Sequence, residues 1–212
     1  MAINLFLYAS YMILLGICIV VGTLIWRRSL GATRIFYVLI VVIACSEIAA
    51  LVSEILTGSN DQVYNVTDII QAVILFWYFG TAIRKDWLRL ILCMFTIGFG
   101  IYNYYWLQFE DIINNYFLLW NGIAAVCLCL YIMLKLYQRD GAAGLPKFAS
   151  FWIAAVVLFY WVVNLMSLQV FNALLLENLE YAVLINVVHL SSNIICYAAI
   201  ALIFYKTPIL IQ

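Results

Sequence analysis

Two ionisable side chains stand inside long apolar stretches of this sequence and carry most of its capacity for chemistry. Glu47 lies in the apolar run that begins at Ile35, and His189 is the single histidine of the chain. Because an unpaired charge in lipid is costly, Glu47 is expected either to be protonated or to face a polar site. His189 can act as a proton-linked partner of Glu47 or as a neutral donor to a backbone carbonyl, and we favour the second, structural role.

Amides and further carboxyl groups accompany these two residues in the same half of the predicted membrane region. At about 1.5 Å per helical residue, Glu47 lies roughly 18 Å from the start of its span, in what the charge pattern below makes the outer half. Asn186, His189 and Asn193 follow i, i+3, i+7 spacing, which places them in one stripe of a helix. We predict an outward-facing polar pocket for a ligand, lined by Glu47, Glu54, Asp68, Asn103, Asn121, Asn164, Asn186, His189 and Asn193. The alternative is that these groups only join helices, each hydrogen bond contributing about 0.6 kcal/mol.

Several kinds of catalytic site are excluded or weakened by the residue types present. A single histidine excludes multi-histidine zinc sites and haem held by two histidines, and we predict no metal and no other cofactor. A retinal Schiff base needs a buried lysine, whereas every lysine lies at or beyond the end of a predicted span. The sequence contains no GxSxG, P-loop or GxGxxG pattern. The six cysteines all fall within spans, where we expect them to pack as small apolar side chains.

Composition dictates the elements that position these residues. Of the 212 residues, 68% belong to the AVILMFWYC set and only 9% are charged, whereas a soluble domain has about 25% charged residues. A bilayer core needs about 20 apolar residues per helix, and the period-two alternation of barrel strands is absent. We predict an all-α polytopic membrane protein, a single domain over residues 1–212, with seven nearly straight helices at about 4–26, 35–57, 66–83, 88–107, 112–136, 148–170 and 181–205.

Charge placement predicts the orientation of these helices. All ten basic residues fall on one side of the predicted spans: Arg27, Arg28, Arg34, Arg84, Lys85, Arg89, Lys135, Arg139, Lys147 and Lys206. The opposite side carries acidic groups without Lys or Arg: Glu54, Asp61, Asp68, Glu110, Asp111, Glu177 and Glu180. The positive-inside rule then places the N-terminus outside and the C-terminus in the cytoplasm. We expect a multi-pass protein of the cell membrane, the inner membrane in a bacterium, with the first span as an uncleaved anchor.

Three short segments carry a resemblance to a known group of proteins. They are Arg34-Ile35-Phe36, which leads into the span with Glu47, Pro146-Lys147-Phe148 before the sixth span, and Asn193-Ile194-Ile195-Cys196-Tyr197-Ala198 in the seventh. With them, the chain resembles a group of small seven-helix integral membrane proteins common in Bacteroidota. The resemblance covers most of the chain, and it implies the seven-helix arrangement but no particular activity.

Three functions remain open on the sequence alone. The first is a ligand-binding, sensory or accessory subunit that takes a small or lipid-like molecule and acts through a separate membrane or cytoplasmic protein, because the short loops hold no soluble domain. The second is a small transporter with the 3+1+3 plan of SWEET proteins, although Pro146 and Pro208 both lie at span edges rather than within spans. The third, which we favour less, is an intramembrane enzyme that acts on lipid with Glu47 and His189 as acid and base. A net charge of zero gives no basic surface for nucleic acid.

Overall fold

The computed structural model describes residues 2–29, 31–107, 115–175 and 179–207. Seven helices in this described part of the chain are long and apolar enough to cross a membrane, which confirms the all-α class and the number of spans. Their bounds are α1 Ala2–Ile25, α2 Gly31–Thr57, α3 Asp61–Ile83, α4 Asp86–Tyr102, α5 Asn115–Gly144, α6 Ala149–Leu175 and α7 Leu179–Lys206. The predicted connection at 108–111, with Glu110 and Asp111, lies outside the described residues, as do Glu177 and Pro208.

Several helix ends lie outside the apolar runs predicted from the sequence, most clearly the starts of α2 and α3 and the end of α5. α2 begins at Gly31 rather than at 35, and α3 begins at Asp61 rather than at 66. Apolar content marks only the part of a helix inside hydrocarbon, whereas the polar first turn of a helix at the membrane surface carries no such signal. Asp61 lies in the first turn of α3, where a carboxylate interacts favourably with the helix dipole. The connection between α2 and α3 is therefore only Gly58 to Asn60.

Two helices depart locally from regular α-helix. α4 passes into a π-helical segment at Asn103–Leu107, and α5 is interrupted at Gly141, whose φ is 67°. Neither involves proline. A π turn adds a residue to the helical turn and redirects the side chains around it, while Gly141 adopts a positive φ that side chains with a Cβ rarely allow. Both departures lie towards helix ends rather than in the middle of the spans.

The chain divides into two compact units, each described here by itself. The central unit is Ser29–Asn121, and the terminal unit combines Met1–Arg28 with Gly122–Gln212. In the central unit, Gly80 of α3 lies directly against Arg89 of α4, and Phe36 packs on Tyr78 with ring centroids 5.2 Å apart. The single domain predicted from the sequence stays a prediction.

Packing in the terminal unit joins the first helix to the last. The Cys18 thiol donates to the Tyr197 carbonyl oxygen over 3.1 Å, and the ring of Tyr11 lies 5.3 Å from that of Tyr197. These contacts hold α1 against α7, while Gly122 of α5 allows close approach of Leu165 and Trp161 of α6. The terminal unit is thus held by small residues at its helix contacts, as is usual where helices meet in lipid.

Candidate functional site

The central unit brings two of the predicted carboxyl groups together. Glu47 is half-buried on α2, and its Oε2 accepts a hydrogen bond of 3.2 Å from the Tyr64 hydroxyl of α3. Asp68, one turn after Tyr64, interacts electrostatically with Glu47. A second bond joins the same helices, since Gln71 Nε2 donates to Ser46 Oγ over 3.0 Å. We call Ser46, Glu47, Tyr64, Asp68 and Gln71 the α2–α3 polar cluster.

Helical spacing explains why these five side chains meet. Tyr64, Asp68 and Gln71 follow i, i+4, i+7 spacing and so share one face of α3. The three-residue connection makes α2 and α3 antiparallel neighbours, and Gly58 turns the chain there with a φ of 77°. At about 1.5 Å per residue, Asp68 lies about 10 Å from the start of α3 and Glu47 about 15 Å from the end of α2. The cluster thus lies within the membrane-spanning part of both helices.

Asn103 and Asn121, two further predicted site residues, are buried in the central unit. Asn103 is the first residue of the π segment and is fully inaccessible, and Asn121 is 2% exposed. Within the described residues, Asn121 Oδ1, Thr96 Oγ1 and Trp120 Nε1 are buried without a hydrogen-bond partner. Around them, Trp120 packs edge-on against Phe95 with ring centroids 4.8 Å apart. Asn121 and Thr96 therefore lie within helix packing, where an unsatisfied polar atom is costly.

The predicted stripe on α7 makes its hydrogen bonds within its own helix. Asn193 Nδ2 lies 3.1 Å from His189 Nε2, and the Ser192 hydroxyl donates to the His189 carbonyl oxygen over 2.8 Å. An amide nitrogen can only donate, so the first contact requires Nε2 to accept, as in a neutral imidazole with its proton on Nδ1. Asn186 is half-buried on the same helix. The ring contact is with the Asn193 amide rather than with a backbone carbonyl, so the carbonyl partner expected for His189 stays a prediction.

The remaining predicted residues stand apart in different ways. Asn164 is 3% exposed, and its Nδ2 donates to the Tyr160 carbonyl oxygen one turn earlier on α6. Glu54 is exposed on α2, seven residues beyond Glu47. The expected pairing of Glu47 with His189 joins residues of different units and stays a prediction.

Tyr64 and Ser46 are cluster members that the sequence analysis did not single out. Tyr64 fell in the predicted connection 58–65, because α3 was expected to begin only at 66. With the start of α3 at Asp61, the repeat of polar residues at 64, 68 and 71 becomes visible as a helical stripe. Ser46 carries no such signal, since serine is a common small residue at contacts between transmembrane helices.

Two further observations bear on the site: the grouping of metal-ligand residues and the similarity of the chain to known proteins. In the part of the chain that the structure describes, no three His, Cys, Asp or Glu side chains are grouped as metal ligands. All six cysteines are free thiols within helices. Comparison of the chain with protein-family models, with curated proteins and with solved structures finds no match.

Proposed function

We propose that this chain is an integral membrane binding module whose α2–α3 polar cluster recognises a small molecule carrying a positively charged group. The observation that carries this proposal is the pair of hydrogen bonds from Tyr64 to Glu47 and from Gln71 to Ser46, which turns the face of α3 that carries Asp68 towards Glu47 of α2. Two neighbouring carboxyl groups attract a positively charged ligand, because the Coulomb energy is larger in a low-dielectric setting than in water. A bound organic cation would interact with both groups, and the Tyr64 ring offers a face for a cation–π contact.

The proposal also states how the chain is oriented in the membrane and how it acts on other proteins. The basic residues of the chain favour an N-terminus outside and a C-terminus in the cytoplasm, so that the cluster opens towards the outside of the cell membrane. The chain then signals or assists through a separate membrane or cytoplasmic protein. We also infer that it groups with the seven-helix Bacteroidota proteins that it resembles.

Orientation is tested by cysteine labelling in intact cells. A membrane-impermeant maleimide should label Asn60→Cys, at the connection of α2 and α3, and should leave Ala143→Cys unlabelled until the cells are opened. The unmodified chain, with its six cysteines inside helices, measures background labelling. Labelling of Ala143→Cys from outside would reverse the orientation.

Ligand recognition is tested by thermal unfolding of the purified full-length protein in detergent with a panel of amines, including putrescine, spermidine and tetramethylammonium. At least one amine should raise the unfolding midpoint, because a ligand that binds only the folded state stabilises it. The shift should disappear in Glu47→Gln and in Asp68→Asn.

Glu54→Gln is the matched control, because it removes an exposed carboxylate from the same helix. Its shift should equal that of the unmodified chain. A shift that persists in both cluster variants, or that Glu54→Gln abolishes equally, contradicts the cluster as the site. If Glu47 is instead one half of a structural ion pair with His189, Glu47→Gln alone should lower the unfolding midpoint without ligand.

An intramembrane enzyme is the second candidate, and the same carboxyl pair favours it. Paired carboxyl groups are the arrangement that acid–base and nucleophilic hydrolysis commonly uses, here with Asp68 in place of the expected His189. Mass spectrometry of phospholipid vesicles incubated with the protein would show new products that Glu47→Gln and Asp68→Asn no longer form. If the vesicle lipids stay unchanged and an amine binds, the enzyme hypothesis is excluded and the binding function remains.

A further inference from the structure

A groove runs between α6 and α7 in the terminal unit and is chemically unlike the α2–α3 polar cluster. Its volume is about 520 Å³, within the range of about 300–1,000 Å³ typical of small-molecule sites. Ala155 of α6 and Ala199 of α7 line it with small side chains, and Phe159 and Leu202 contribute large, partly exposed ones. The result is an apolar groove along two helices that both qualify as membrane spans.

Polar chemistry is confined to one end of this groove. Lys206, the last residue of α7, is exposed and is the only charged one among the described residues that line it. Trp152 stands at the same end, and its Nε1 already donates to the Pro146 carbonyl oxygen over 2.9 Å. Lys147 adjoins this end in sequence, and the first turn of α6 adds the positive end of a helix dipole. An occupant that matches the groove therefore has a long apolar body and one anionic end.

The length of the groove fits one leaflet of a bilayer. Ile195 and Lys206 both line it and are eleven residues apart on α7, which corresponds to about 16 Å of helix. The hydrocarbon core of a bilayer is about 30 Å thick, so the groove extends through about half of it. A single acyl chain of a phospholipid that belongs to one leaflet spans the same distance.

We propose that the α6–α7 groove binds an acyl chain of an anionic phospholipid whose phosphate contacts Lys206. Lys206 makes no ion pair with any residue that the structure describes, so its charge is available to a headgroup. Basic side chains at the cytoplasmic ends of transmembrane helices are suited to anionic headgroups. This proposal does not depend on the function proposed for the α2–α3 polar cluster.

Native mass spectrometry of the full-length protein, titrated with dioleoyl phosphatidylglycerol or dioleoyl phosphatidylcholine, tests this site. The unmodified chain should bind the anionic lipid more tightly than the zwitterionic one. Lys206→Ala should reduce that preference about fivefold, the factor expected for one basic residue near an anionic surface. Ala199→Leu should weaken binding of both lipids, because it fills the groove without changing any charge.

Matched variants distinguish binding in the groove from effects of overall charge or of misfolding. Lys206→Arg should keep the preference, and so should Lys85→Ala, which removes an equal charge from the central unit. Circular dichroism checks that Ala199→Leu remains helical, and Ala199→Val replaces it if it does not. Lys206 lies exposed at a helix end. Lys206→Ala therefore tests the contact with the lipid headgroup without disturbing helix packing.

Three results would overturn the proposal. The first is phosphatidylglycerol binding that is unchanged in both Lys206→Ala and Ala199→Leu. The second is displacement of the lipid by millimolar inorganic phosphate, which would make the lysine a general anion site. The third is a dimer that Ala199→Leu converts to monomer without altering lipid binding, which would assign the groove to a second copy of the chain.

Discussion

The polar side chains of α2 and α3 and those of α7 are embedded in stretches of similar apolar character, yet they use their hydrogen bonds in opposite ways. On α7, the Asn193 amide contacts His189 one turn away in the same helix. In the α2–α3 polar cluster, Tyr64 donates to Glu47 and Gln71 donates to Ser46 from one helix to the next. The first contact is made within one helix, whereas the second set of bonds exists only while two helices stay in register.

This difference indicates which group is suited to function. The His189–Asn193 contact persists however α7 is placed, and it leaves the Asn193 Oδ1 buried without a hydrogen-bond partner among the described residues. The two carboxyl groups, by contrast, are brought together only by the packing of α2 against α3. Their geometry also changes whenever α2 and α3 move relative to each other, so a ligand that prefers one geometry can shift the population of states.

A substitution at Gly80 tests how strongly the stability of the central unit depends on close contact between α3 and α4. A Cβ at this position would lie 2.8 Å from the Arg89 Cα, a backbone atom that cannot move without shifting α4. Gly80→Ala should destabilise the protein by about 1–3 kcal/mol, the usual cost of overpacking. Thermal unfolding in detergent measures the effect.

Gly98→Ala on α4 is the control, because no heavy atom lies within 4 Å of the added Cβ. It should leave the unfolding midpoint unchanged or raise it slightly, since alanine has the higher helix propensity. Equal midpoints for the two variants would show that the α3–α4 contact is looser than the structure places it.

A second contrast between the units concerns two buried threonines. Thr96 of the central unit is fully buried, and its hydroxyl has no partner among the described residues. Thr207 of the terminal unit is 1% exposed, but its hydroxyl donates to the Ile203 carbonyl oxygen over 2.8 Å. Thr96→Val should stabilise the protein by about 1 kcal/mol, because it removes a buried unsatisfied group and keeps the side-chain shape.

Thr207→Val should instead lower stability by about 0.5–1.5 kcal/mol, the net contribution of a satisfied hydrogen bond. Chemical unfolding of both variants in the same detergent compares them directly. A loss of stability in Thr96→Val would mean that its hydroxyl is satisfied in the membrane, by water or by a partner protein.

The sequence predicts the helices of this protein far better than the contacts between them. Runs of about 20 apolar residues have few alternatives in a bilayer, so seven spans could be counted directly. The His189 and Asn193 contact was also within reach, because i, i+4 spacing in one helix brings two side chains together without reference to any neighbour.

The α2–α3 polar cluster was only half predicted, for a physical reason. Glu47 and Asp68 were recognised because carboxyl groups are rare in spans, but their contact depends on how α2 and α3 rotate against each other. That rotation is decided by packing over the whole length of the two helices, which no spacing rule records. Tyr64 was missed because the apolar run begins at 66, after the helix itself has begun at Asp61.

The smallest expected effects test the opening contrast most directly, through two double-mutant cycles. Ser46→Ala with Gln71→Leu measures a bond between helices, and His189→Leu with Asn193→Leu measures a bond within one helix. The interhelical pair should show a coupling energy of about 0.6 kcal/mol, the mean for such bonds in a membrane protein. The α7 pair should fall within about 0.2–0.5 kcal/mol, as for side chains one turn apart on a helix.

The two cycles also differ in what happens when α2 and α3 separate. The Ser46–Gln71 coupling requires both helices in place, so adding Phe36→Ala, which removes the ring contact of α2 with Tyr78 of α3, to each member of the cycle should reduce it. The His189–Asn193 coupling should persist in the same background, because it needs only an intact α7. Unfolding midpoints in detergent give both energies. A His189–Asn193 coupling that equals or exceeds the interhelical one would mean that α7, too, relies on neighbouring helices to hold its polar residues, and the functional distinction between the two regions would be lost.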